Sequence, residues 1–153
     1  MEGLNWIEFL GRSSEDADLR VALKEAHGKE PPILKKDRLS ASVQLRDVAL
    51  EFTDADIYPD FSRGGDGETI LTSVIFPLKN LKWGEYKGPL FLSIERSDSR
   101  DKLRGRFGVP IATDEDSRWD EWIVGDRVLR AGYTEDFSAL RSITRALPRP
   151  ARQ

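Results

Sequence analysis

Residues 88–110 read GPLFLSIERSDSRDKLRGRFGVP, and the fold turns on how that stretch is read. The apolar run at 90–94 predicts a strand. Ser97 or Asp98 then caps a short helix in which Leu103 and Phe107 lie one turn apart on the buried side. Gly108 and Pro110 stop it, because glycine accepts a left-handed cap conformation and proline cannot continue the hydrogen-bond ladder. A degraded version of the pattern, IEFLGRSSEDADLRVALKEAHGKEP, occupies residues 7–31. By comparison with 90–94, residues 4–10 predict a strand. Ser13 or Ser14 predicts the next cap, Ser13 with Asp16 having capping-box spacing. Leu19, Ala22, Leu23 and Ala26 make one apolar helical face, which Gly28, Pro31 and Pro32 end.

After each helix the hydrophobic period drops from that of a helix to that of a strand. Ala41, Val43 and Leu45 share one face of a strand at 40–45, and Val48, Leu50 and Phe52 one face of a strand at 48–53. The β-branched run TILTSVIFP at 69–77 predicts a central strand ending at Pro77. In the second half, strands at 119–124 and 127–133 flank the hairpin signal Gly125-Asp126. Residues 138–147 fit a helix through Leu140, Ile143 and Leu147, but Ala146-Leu147-Pro148 falls where Ile75-Phe76-Pro77 ends the first half, and that match decides for a strand. The expected fold class is α+β: two tandem strand-helix-β-meander repeats, at about 4–78 and 88–148 of a single domain 1–153, forming an antiparallel sheet with helices on one face. The other sheet face is then open to solvent or to a partner.

Composition narrows the function classes. The 153 residues are 39% hydrophobic and 33% charged with a net charge of −3, which fits a globular chain and disfavours direct binding to nucleic acid, where phosphates demand basic excess. There are no cysteines, so thiol catalysis, disulfides and cysteine zinc sites are excluded. The N-terminal run MEGLNWIEFLGRSSED lacks a basic start and is interrupted by Glu8, unlike a signal peptide, and no stretch is apolar enough for a membrane span. A cytoplasmic location is expected.

No residue set spells out a reaction. His27, the only histidine, falls in the last turn of a helix, where an imidazole interacts well with the dipole. The serines at 13, 14, 97 and 99 read as caps, and G-x-S-x-G is absent. Residues 64–67, Gly-Gly-Asp-Gly, lack the Lys-Ser/Thr of a phosphate loop, and no calcium-loop spacing occurs. No cofactor and no metal are expected. The acidic and aromatic clusters are more informative. Asp54, Asp56, Tyr58 and Asp60 lie in the long loop 54–68, and Asp114, Glu115, Asp116, Trp119, Asp120, Glu121 and Trp122 cluster in the second half. Trp119 and Trp122 fall on opposite faces of their strand, so that one is core while the other faces out. Tyr58, Trp83 and Tyr86 sit in predicted loops, where a large ring either packs or binds. Aromatic anchors with a charged rim are the composition of a protein interface.

A short helix ending in G-x-P, then a meander with an aromatic second strand, resembles the repeat of β-lactamase-inhibitor proteins and outer-membrane assembly lipoproteins. The longer pattern, KGPLFLSIERSDSRDKLRGRFGVP followed by DSRWDEWIVGDRVLRAGYTEDFSALRSI, is similar to small bacterial immunity proteins encoded beside polymorphic toxins. The first half departs from it through a longer helix and the insertion at 64–67, and the chain lacks the lipobox cysteine of the lipoproteins. The resemblance implies a non-enzymatic protein that binds and neutralises a cognate toxin effector, with a nuclease as one candidate, by occluding its active site through the clusters named above. Two other readings stay open: a small ligand-binding or enzymatic α+β domain using the acidic loop 54–68, and a chaperone or adaptor for an effector.

Overall fold

The structure, a computed structural model, describes residues 2–35, 37–79 and 84–150. The predicted loop aromatic Trp83, and residues 151–153 of the basic tail, lie outside the described residues. Helix α1 (Ala17–His27) precedes strands β1 (Ser40–Gln44), β2 (Ala49–Asp54) and β3 (Thr69–Pro77). Helix α2 (Arg100–Phe107) precedes β4 (Ala112–Asp114), β5 (Trp119–Val124), β6 (Arg127–Tyr133) and β7 (Leu140–Ala146). The seven strands form one antiparallel sheet in the order β1-β2-β3-β7-β6-β5-β4. The third strand of each meander therefore meets its counterpart at the centre, and the ambiguous last segment holds a strand, Leu140–Ala146, as the Pro77 match suggests.

Both segments predicted to open the repeats are corrected. Residues Gly3–Phe9 form a 3-10 helix, not a strand. Their apolar positions recur every three residues rather than every two, and Trp6 meets Phe9 with ring centres 5.8 Å apart. At 90–94 the chain turns: Leu92 and Ser93 both take φ of 55°, and the Ile94 N–H bonds back to the Phe91 carbonyl. No ladder can form through two left-handed residues. Phe91 instead packs on Phe76, 5.7 Å between ring centres, closing one end of the core. The loop 54–68 is not featureless either, since Ala55–Ile57 and Pro59–Phe61 make single 3-10 turns. A tandem repeat with an opening strand is thus not what is seen, and β4 has no partner element in the first half. The shared order is one helix followed by a three-strand meander.

The caps also differ from expectation. Asp16, not Ser13 or Ser14, caps α1, its Oδ1 accepting the Leu19 N–H at 2.9 Å, and Gly28 closes the helix at φ 71°. Ser13 and Ser14 are drawn away because residues 11–14 run beside the start of β3: Gly11 donates to the Leu71 carbonyl, Leu71 to Arg12, and Ser14 to Thr69. Ser14 Oγ accepts the Thr69 N–H, and Ser13 Oγ donates to the buried Glu68 carboxylate. Ser99 caps α2 by accepting the Lys102 N–H at 3.1 Å, while Asp98 takes the Glu95 N–H.

Cross-strand register sorts the side chains. One row of direct neighbours runs Trp122, Leu129, Arg145, Val74, Leu50, Val43, and a second runs Asp120, Ala131, Ile143, Phe76. Directly opposed residues share a face. This is the covered face, because α2 lies on it: Leu103 is fully buried, Phe107 packs on Trp122 at 5.7 Å, and Trp122 Nε1 donates to the Gly108 carbonyl at 2.9 Å. Tyr86 packs there against Phe76, 4.9 Å between ring centres, its hydroxyl donating to the Pro89 carbonyl.

Candidate protein-binding face

The opposite face of the sheet carries three rows. They run Trp119, Gly132, Ser142, Pro77; then Glu121, Arg130, Thr144, Ile75, Ala49, Gln44; then Ile123, Val128, Ala146, Ser73, Glu51, Ser42. Most of these side chains are only partly buried, and Ile123 is 45% exposed. Helix α2 lies on the other side of the sheet, over Trp122. Gly132, Ser142, Thr144, Ala146 and Ser73 keep much of their middle low, around Ile75 and Pro77. A Cβ on Gly132 would come within 2.6 Å of Ser142 Oγ, so the floor of the face is close-packed.

Larger groups stand at the β5–β6 side. The Arg130 guanidinium lies 4.1 Å from the centre of the Trp119 ring, and its nitrogens reach the Glu121 carboxylate at 3.0 Å. Strand pleating produces the group: Trp119 and Glu121 are two apart on β5, and Arg130 is directly opposite Glu121 on β6. Stacking and ion pairing hold both long side chains in one arrangement before any partner arrives, which reduces the ordering cost of binding. Ile123 and Val128 extend the platform as the next cross-strand pair.

The predicted site residues separate in three directions. Trp119 and Glu121 are on the platform. Asp120, Trp122 and Tyr58 are corrected to interior positions, with 1%, 2% and 7% exposure, and so present no surface to a partner. Asp120 accepts two bonds from Arg104, one from Thr113 Oγ1 at 2.7 Å and one from the Tyr133 hydroxyl at 3.0 Å. Burial alone would raise its pKa, but those donors outweigh it and hold the carboxyl below its ordinary value; burial and that carboxylate push the Tyr133 hydroxyl up. Tyr58 packs beside Phe61 with ring centres 6.3 Å apart, and burial raises its pKa.

The acids lie at opposite ends of the sheet. Asp114, Glu115 and Asp116 form the β4–β5 turn, at the end where Trp119, Gly132, Ser142 and Pro77 align. Glu135 and Asp136, in the β6–β7 turn, are at that same end. Asp54 ends β2 at the far end, and Asp56 and Asp60 follow it. Asp54 is used locally, accepting the Asp56 N–H, and Glu115 pairs with Arg100 at 3.0 Å; Asp56, Asp60 and Asp116 are exposed. The two acidic clusters therefore lie at opposite ends of the sheet, and only Asp114, the direct neighbour of Trp119, is placed beside the open face by strand register.

Around the loop 54–68 the organising carboxylate is Glu68, a residue not singled out by sequence. It is 4% exposed and accepts from Ser13, from Ser62 Oγ at 2.6 Å and from the N–H groups of Arg63 and Gly64. Burial opposes ionisation, yet these bonds prevail and lower its pKa. A cleft beside it is lined by Leu10, Arg12, Asp16, Asp60, Phe61 and Arg63, with Arg12 and Arg63 both paired to Asp16 at 3.3 and 3.2 Å. Among the described residues no group of three or more His, Asp or Glu is placed to hold a metal ion, and no helix is long and apolar enough to cross a membrane.

Comparison with protein-family models, with curated proteins and with solved structures finds no match.

Proposed function

We propose that this protein is a non-enzymatic, immunity-type inhibitor that binds a cognate toxin effector through the open sheet face and occludes its active site. The observation that carries the reading is the prearranged Trp119–Arg130–Glu121 group beside exposed Ile123 on the open sheet face. Trp and Arg are the side chains that most often dominate binding energy at protein interfaces, and here both are accessible and already ordered. The acidic turn beginning at Asp114, beside Trp119, favours a partner whose site is basic, as in an enzyme acting on nucleic acid, by speeding association. The reading places inhibitor and toxin in the cytoplasm of the producing cell.

The ligand-binding alternative has less support. The buried carboxylates of the 54–68 region, Glu68 and the neighbouring Asp16, are already held by backbone and arginine partners.

The test is co-expression with the protein encoded beside this gene. Growth rescued by the native chain, and lost for Trp119→Ala combined with Arg130→Glu in a folded protein, supports the reading. Failure of the native chain to rescue, or full rescue by the double variant, removes it.

A further inference from the structure

We propose that the β1 edge of the sheet is a second interaction surface, which accepts an extended segment of another protein, small and uncharged at its centre and carrying carboxylates at its ends, as an added antiparallel strand. The inference is independent of the docking reading for the open face.

Backbone alternation supplies the donors and acceptors. The Asp54 N–H donates to the Leu39 carbonyl and the Leu45 N–H to the Val48 carbonyl, each at 2.8 Å. With the register Ala41 opposite Phe52 and Val43 opposite Leu50, the hydrogen-bonded pairs fall at 39, 41, 43 and 45. The N–H and C=O groups of Ser40, Ser42 and Gln44 therefore point away from β2, and all three residues are exposed.

Sheet edges are ordinarily protected by charge, proline, a bulge or brevity. The opposite edge, β4, is three residues long, begins two positions after Pro110 and ends in Asp114. The β1 sequence SASVQ has five residues with no charge, no proline and an unbroken register.

Charge at the ends selects the occupant. Arg38 and Arg46 flank the strand, are exposed, and take part in no ion pair among the described residues. Two copies of β1 pairing antiparallel about Ser42 would oppose Arg38 of each copy to Arg46 of the other, placing like charges together at both ends. A different strand with carboxylates opposite those arginines gains where a second copy loses.

The experiment uses the full chain and a capped nine-residue peptide, Glu-Val-Thr-Val-Ser-Val-Thr-Val-Glu, against the same peptide with lysine at both ends. Amide exchange is followed by NMR at low salt. The acid-ended peptide is expected to slow exchange at Ser40, Ser42 and Gln44, to leave Ala41 and Val43 unchanged, and to bind at least tenfold more tightly than the lysine-ended one. Ser42→Pro removes the central donor and should abolish protection. Should that variant misfold, Arg38→Glu with Arg46→Glu, which touches no ladder bond, should reverse the peptide preference. Absence of protection, equal binding of the two peptides, or a preference that survives charge reversal overturns the proposal. So does concentration-dependent dimerisation that protects the same amides without peptide, which would make a second copy the occupant.

Discussion

Arg104 holds Asp120 with two parallel bonds beneath α2, Nε to Oδ2 at 2.9 Å and Nη2 to Oδ1 at 2.8 Å. The fork geometry ties the middle of the helix to β5 and completes the ring of donors around a buried carboxylate. Arg104→Ala leaves that charge inside without its main partner, at a cost of about 3–5 kcal/mol. The midpoint of urea unfolding should fall accordingly, with little change in slope.

The same carboxylate and Glu68 contribute to the acid limb of stability. Both have folded-state pKa values lowered against their ordinary values, although burial works the other way. Their contribution is present above the unfolded-state carboxyl pKa of about 4 and is lost as pH falls through the lower folded values. Ser13→Ala removes one Glu68 donor and should cost about 1–3 kcal/mol at neutral pH. Acid unfolding followed by fluorescence should begin at higher pH in that variant, and limited proteolysis should cut sooner within 54–67.

Trp119 and Trp122, three residues apart, should behave oppositely. Trp122→Ala empties a packed site beneath Phe107 and should destabilise by about 3–5 kcal/mol, leaving the binding of folded molecules unchanged. Trp119→Ala should alter stability by no more than about 1 kcal/mol while weakening the proposed toxin complex by about 2 kcal/mol, or roughly thirtyfold. Calorimetry on free protein and complex separates the two effects.

Asp136 offers a local pH marker. The side-chain and backbone groups of Ser138, followed by Thr134, lower its pKa to about 2. An NMR titration should find it ionised well below the ordinary aspartate pKa of about 4, and Ser138→Ala should move it up toward that value.

Legibility followed the range of the interactions involved. The strand at Thr69–Pro77, the hairpin Trp119–Val124 with Arg127–Tyr133, and the helix ending at Gly28 were readable because β-branched runs, turn dipeptides and caps are local signals. Apolar composition at 90–94 suits a strand or a core plug equally, and Phe76, itself packed on Tyr86, receives Phe91 and makes the plug favourable. Ser13 was misread as a cap because its partner, Glu68, is 55 positions away.

For the candidate site the division is sharper. Alternation by itself determined that Trp119 and Trp122 leave opposite faces of one strand, and composition determined an acidic chain without thiol chemistry. Which tryptophan faces outward was decided by where α2 docks, since Phe107 and the Gly108 carbonyl claim Trp122. Tertiary register likewise set Arg130 over Trp119, buried Asp120 against Arg104 and Tyr133, and carried the two acidic clusters to opposite ends of the sheet. A strand's two faces are a local property of its pleat; which face becomes the inside is a property of what else the chain brings to cover it.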